Sequence, residues 1–97
     1  MNTGLSVPAN TTKTLKTSTT MYGLMIVYAG NSNACGAWIV LIRNGSGSAL
    51  AKEIVGGSNL TVTTSGTDVK VQNSYSSAAN IAFMPLGNGL RSWLSLV

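Results

Sequence analysis

Groups able to do acid–base, nucleophilic or metal chemistry are few in this chain and lie far apart. The sequence has no histidine, two carboxylates (Glu53 and Asp68) and one cysteine, Cys35. Hydrolysis by paired carboxylates needs two acids flanking one bond, and Glu53 and Asp68 fall in different segments. Asp68 follows Ser65-Gly66-Thr67 and reads as a turn residue, and Glu53 beside Lys52 reads as a solvated pair. Cys35 has no imidazole to activate it as a nucleophile. Next to Gly36 and Ala37, at the head of an apolar run, it reads as a small buried hydrophobe. A single cysteine cannot close an intrachain disulfide, which removes the disulfide-stapled secreted class. Two isolated acids make a poor calcium cage, and there is no Cys/His set for zinc. Gly45-Ser46-Gly47 lacks the following Gly-Lys-Ser/Thr of a phosphate-binding loop. The reading is a non-enzymatic protein with no catalytic residues, no metal and no cofactor.

What remains is the chemistry of aromatic rings and amides. A sugar ring is held when its C–H face stacks on an aromatic side chain while Asn, Ser or Arg groups bond its hydroxyls. Tyr28 ends an apolar run against the loop Asn31-Ser32-Asn33, and Tyr75 sits in the polar run Asn73-Ser74-Tyr75-Ser76-Ser77. The loops 30–34 and 73–79 are therefore the expected contact regions, with Tyr28, Asn31, Asn33 and Tyr75 as candidate ligand-binding residues. The plainer reading has both tyrosines capping the rim of a core with their hydroxyls in water. Trp93, with Leu94 and Leu96 near the C-terminus, is the candidate for a subunit interface. Trp38 and Phe83 lie inside apolar runs and belong to the core.

The elements that must position these residues are strands. Residues 1–20 are Thr-rich, and Thr is β-branched and suits an extended chain. Leu15 lies between Lys13-Thr14 and Lys16, so this segment reads as an edge strand or connector whose lysines discourage further strand addition. Residues 21–97 form the body of the same single domain. The run Met21 to Ala29 is too continuously apolar for a half-solvated strand, which predicts cover on both faces. A second run, Ala37 to Arg43, closes on Asn44-Gly45, a strong hairpin signal. Residues 49–55 mix helix formers with bracketing glycines and read as a strand. Leu60-Thr61-Val62-Thr63-Thr64 and Val69-Lys70-Val71-Gln72-Asn73 alternate around a turn, placing Leu60, Val62, Val69 and Val71 on one core face. Residues 80–86 add a strand ending near Pro85. For residues 90–97 both strand and helix stand open, since Leu90, Trp93, Leu94 and Val97 also have helical spacing. The sum is an all-β fold, a small antiparallel, jelly-roll-like β-sandwich of seven to eight short strands.

Only 8% of the residues are charged, against about 25% in an average domain. Yet 44% are hydrophobic, a surplus for a small β domain. Either one outer face is apolar or an oligomer buries the excess, and the oligomer is the expectation. The formal charge of +4 comes from six dispersed cations. Nucleic-acid binding needs them clustered on one face, so none is expected. No apolar run reaches the roughly 20 residues of a membrane-spanning helix, so no membrane insertion is expected either.

The passage Tyr22-Gly23-Leu24-Met25-Ile26-Val27, a Ser/Asn loop and Trp38-Ile39-Val40-Leu41 together resemble the terminal domains of bacteriophage tail fibres and receptor-binding proteins. Leu60-Thr61-Val62-Thr63, Val69-Lys70-Val71-Gln72-Asn73 and Ile81-Ala82-Phe83-Met84-Pro85-Leu86-Gly87 extend the resemblance, which runs from about residue 20 to 88. It implies a jelly-roll-like head on a longer fibre, homotrimeric, located in the virion tail and extracellular after assembly. It also implies host attachment through a bacterial cell-surface glycan or protein, with no catalytic residues to carry over. Two other readings stand beside it. One is a structural virion module, such as capsid decoration or a collar, with no receptor. The other is a monomeric carbohydrate-binding module.

Overall fold

The computed structural model describes residues 2–17, 21–45, 47–86 and 94–97. In chain order they form β1 (Asn2–Val7), β2 (Thr11–Thr17), β3 (Met21–Gly30), β4 (Cys35–Asn44), β5 (Leu50–Ser58), β6 (Leu60–Ser65), β7 (Asp68–Asn73), β8 (Ala79–Pro85) and β9 (Leu94–Leu96). The described residues include no helix. The strands make two antiparallel sheets, one in the order β1-β8-β3-β4-β5 and one in the order β6-β7-β2-β9. The fold is the expected all-β sandwich, and β8 returns beside the meander β3-β4-β5 as in a Greek key.

The ninth strand arises because the Thr-rich N-terminal segment is two strands, not one. β1 lies at an edge of the five-stranded sheet, paired with β8 through Leu5↔Ile81 and Val7↔Ala79. The chain then turns at Asn10, whose φ is 52°, and enters the other sheet. Asn tolerates this left-handed backbone better than most residues. β2 is no edge strand, since it pairs with β7 through Leu15↔Val69 and with β9 through Leu15↔Leu96. Lys16 does not obstruct those neighbours, because its ammonium reaches Asp68 at 3.2 Å instead. Val97 adds two backbone bonds to Thr14, its N–H donating at 2.8 Å and its carbonyl accepting at 2.6 Å. Leu94 to Leu96 are thus strand; residues 90–93 of the open segment, with Trp93, lie outside the described residues.

Between the sheets sits one core that includes Met25, Val27, Trp38, Val40, Val71 and Phe83, each at most 3% exposed. Burying side chains of this size contributes about 1.5–3 kcal/mol apiece before entropy is subtracted. The β6–β7 hairpin has the predicted register, with Val62↔Val71 and a two-residue Gly66-Thr67 turn between Ser65 and Asp68. Gly66 has φ 59°, the left-handed conformation that type II′ turns reserve for glycine. The β4–β5 connection is longer than a two-residue Asn-Gly turn. It runs over residues 45–49 and is held by Gly47 N–H to Arg43 O at 3.1 Å and Arg43 Nε to Ser48 O at 2.8 Å.

Two expectations from the apolar runs are corrected. β3 is covered on one face only: Met25, Val27 and Ala29 are buried, while Leu24 is 38% and Tyr22 71% exposed. Its side chains alternate inward and outward, and the second layer of the sandwich packs on the inward set alone. Cys35 is half-buried, because it falls on the outward set of β4, between the buried Ala34 and Gly36.

β5 departs from regular pairing. The register with β4 shifts between Cys35↔Ser58 and Ala37↔Val55, and again before Trp38↔Glu53, so β5 carries extra residues as bulges. Gly57 makes this fit. A Cβ there would sit 2.0 Å from the Cys35 carbonyl oxygen, whereas one on Gly30 would meet nothing within 4 Å. We expect Gly57→Ala to cost about 2–4 kcal/mol in urea denaturation, as forced backbone displacement does, with Gly30→Ala within about 1 kcal/mol of the parent. Equal midpoints for the two variants would refute the close-approach role of Gly57.

Candidate functional site

The connections after β1, β3, β5 and β7 meet at one end of the sandwich, and amide side chains tie them together. Asn73, the last residue of β7, is 0% exposed. Its Nδ2 donates to the carbonyls of Val7 at 3.1 Å, Pro8 at 3.2 Å and Ser77 at 2.8 Å, and its Oδ1 accepts the Tyr75 N–H at 2.9 Å. Its neighbours across the sheet are Thr11 and Leu60. One uncharged side chain thus joins the loop after β1 to the loop after β7. An amide can do this because it carries two donor hydrogens, one of them here shared between two carbonyls, and an acceptor oxygen, without the desolvation cost of a charge.

Asn59 makes a second tie. Held at φ 58°, it donates from Nδ2 to Asn33 O at 2.7 Å and accepts the Ser74 N–H on its carbonyl at 3.0 Å. Asn31 makes a third, its Nδ2 donating to Ala34 O and to Asn80 O, both at 3.0 Å. The loop after β3 is thereby fastened to the start of β8. The Asn10 N–H donates to Tyr75 O at 3.1 Å, which closes the cluster.

Beside these ties lies an open hollow of about 290 Å³, lined by Tyr28, Gly30, Asn31, Asn80 and the neighbouring Ala29, Ile81 and Ala82. The strand pairing explains it: Tyr28↔Ala82 puts a large ring beside a small side chain, and Gly30 adds no side chain beyond it. Of the four ligand candidates from the sequence, the structure brings Tyr28 and Asn31 together here. Asn33 is exposed on the adjoining loop, its carbonyl bonded to Asn59. Tyr75 is half-buried in the amide-tied loop and does not line the hollow. Asn80 and Gly30 complete the wall. Asn80 was legible in principle, since it alternates with the inward Ala79 and Ile81 at the head of an apolar strand.

Chemically the hollow offers one phenol ring, amide groups and an apolar floor. Among the described residues no group of three or more His, Cys, Asp or Glu side chains could hold a metal ion. Among them, too, no helix is long and apolar enough to cross a membrane. No family model matches the chain, and no curated protein and no solved structure matches it.

The Asn73 geometry makes a sharp prediction. Asn73→Ala strands buried carbonyls and leaves a void, which costs about 2–4 kcal/mol. Asn73→Asp is nearly isosteric but sets a carboxylate against three carbonyl oxygens, and is expected to be at least as damaging at neutral pH. Thermal melts of both variants check this, and an Asp variant as stable as the parent would rule out the donor role of Nδ2.

Proposed function

We propose that this chain is a non-enzymatic binding module that takes a glycan in the hollow beside Tyr28, as a fibre-tip or adhesin domain would. The observation that carries the reading is the combination of Tyr28, Asn31 and Asn80 around one open hollow with a glycine at its rim. A pyranose ring stacks on a phenol face and exchanges hydrogen bonds with amides, and such sites need no charge. The wall is also pre-organised. Asn31 spends its amide nitrogen on Ala34 and Asn80, which fixes its position and directs its oxygen as the acceptor it can offer a sugar hydroxyl. Rigid loops lose little entropy on binding, which favours weak polar ligands.

In the fibre-tip setting the ligand is a polysaccharide of the bacterial surface, met outside the cell by a virion-borne domain. The fold suits that setting, because its stability rests on packing and backbone bonding and not on a disulfide. The chemistry of the wall favours this over the docking-only virion module, which has no use for a pre-organised amide-and-phenol hollow.

The test is binding of the purified chain to a panel of bacterial surface polysaccharides. The parent is expected to bind at least one, with Tyr28→Ala weakening it about tenfold or more and Tyr75→Ala leaving it unchanged. Gly30→Phe is expected to fill the hollow and abolish binding, since the position has open space for a side chain. Binding that survives both Tyr28→Ala and Gly30→Phe would place the ligand elsewhere.

A further inference from the structure

The two outer faces of the sandwich are opposite in character. On the four-stranded sheet the outward rows are Thr12–Gln72–Thr61 and Thr14–Lys70–Thr63, with Lys16 bonded to Asp68 beyond them. On the five-stranded sheet the rows are Leu24–Leu41–Leu50, then Met84–Ile26–Ile39–Lys52, then Ala82–Tyr28–Ala37–Val55. Tyr22↔Arg43 closes one end. Leu24, Leu50 and Val55 are 38%, 52% and 57% exposed.

From this contrast we propose that the outer face of the five-stranded sheet is a self-association surface, covered by the same face of another copy of this chain. Its size fits. Five strands about 4.8 Å apart and about seven residues long present roughly 550 Å² in plan, so two such faces together bury about 1,100 Å². That clears the roughly 1,000 Å² of a specific interface. Its shape fits too. A hollow of about 170 Å³ lined by Leu24, Ile39, Leu41, Leu50, Ala51 and Lys52 opens on this face, room for one large side chain of a facing copy, given that a cavity of about 150 Å³ holds a benzene ring.

Charge argues against an anionic lipid surface as the occupant. Of the rows just described, this face carries only Lys52 and Arg43, and Arg43 is already bonded to Ser48 O. Lys16 and Lys70 belong to the opposite sheet, so a bilayer docked here would forgo them. A face that pairs with itself closes into a finite assembly instead of growing into a filament.

Light scattering behind a sizing column tests the proposal, with the chain at about 100 μM, above the micromolar constants expected of a small apolar interface. The parent is expected to elute at two or more times 10.0 kDa. Leu24→Glu and Leu50→Lys are each expected to return it to one times that mass, while Thr63→Glu on the polar sheet leaves it assembled. Leu50 is half exposed on an edge strand, so its variant folds even if Leu24→Glu does not, as circular dichroism will report. A parent that runs at 10.0 kDa, or an assembly that survives Leu50→Lys and a folded Leu24→Glu, overturns the proposal. So does a monomeric parent that sediments with phosphatidylserine vesicles, which assigns the face to lipid. The Ala82–Tyr28 row belongs to this face and also lines the glycan hollow, so self-association masks that hollow. Glycan binding is therefore scored on the dissociated Leu50→Lys variant, where its loss counts against the Tyr28 reading alone.

Discussion

The sandwich depends on a single uncharged hydrogen-bonding centre, the buried amide of Asn73. Two sheets pressed face to face are joined by apolar contact, which fixes their spacing but is indifferent to sliding. Directional bonds at a crossing point remove that freedom. Asn73 sits on β7 of one sheet, yet its nitrogen bonds Val7, the end of β1 in the other. The same side chain orders the loop that carries the chain onward to β8. Loss of this amide would unfasten the loop end and the sheet-to-sheet register together.

This use of amides explains the composition. A small domain whose loops cross between layers must satisfy many backbone carbonyls near the core. A lysine ammonium could do so only at a large desolvation cost, and a carboxylate, with no hydrogen to donate, could not do so at all. Asn31, Asn59 and Asn73 do it neutrally, Asn59 while also adopting left-handed backbone. No buried side-chain nitrogen or oxygen among the described residues lacks a partner. Low charge and high Asn content are two sides of one architectural solution.

Much of the fold was legible because strand periodicity is a local property. Leu60, Val62, Val69 and Val71 alternate with polar neighbours, and their register follows from the turn between them. The split of the N-terminal segment was not legible, because Pro8-Ala9-Asn10 is a weak punctuation mark and the choice of sheet depends on distant Val69 and Ile81. The apolar outer face of β3 misled in the other direction: a continuous run says that both faces avoid water, not what covers the second. At the hollow, Tyr28 and Asn31 were visible as a ring beside a polar loop. Asn80 entered only through strand pairing across half the chain, and Asn73, the residue with the most consequence, looked in sequence like one more loop amide.

The pairing of β1 with β8 also shapes the order in which the structure can form. The β3–β4 and β6–β7 hairpins are local and can close within about ten microseconds, whereas β1 must wait for a strand near the opposite end of the sequence. Loop-closure entropy of that kind slows folding. The β1–β8 ladder then becomes a late seam, and weakening it should hasten unfolding far more than it delays folding, a signature that the two arms of a chevron separate directly.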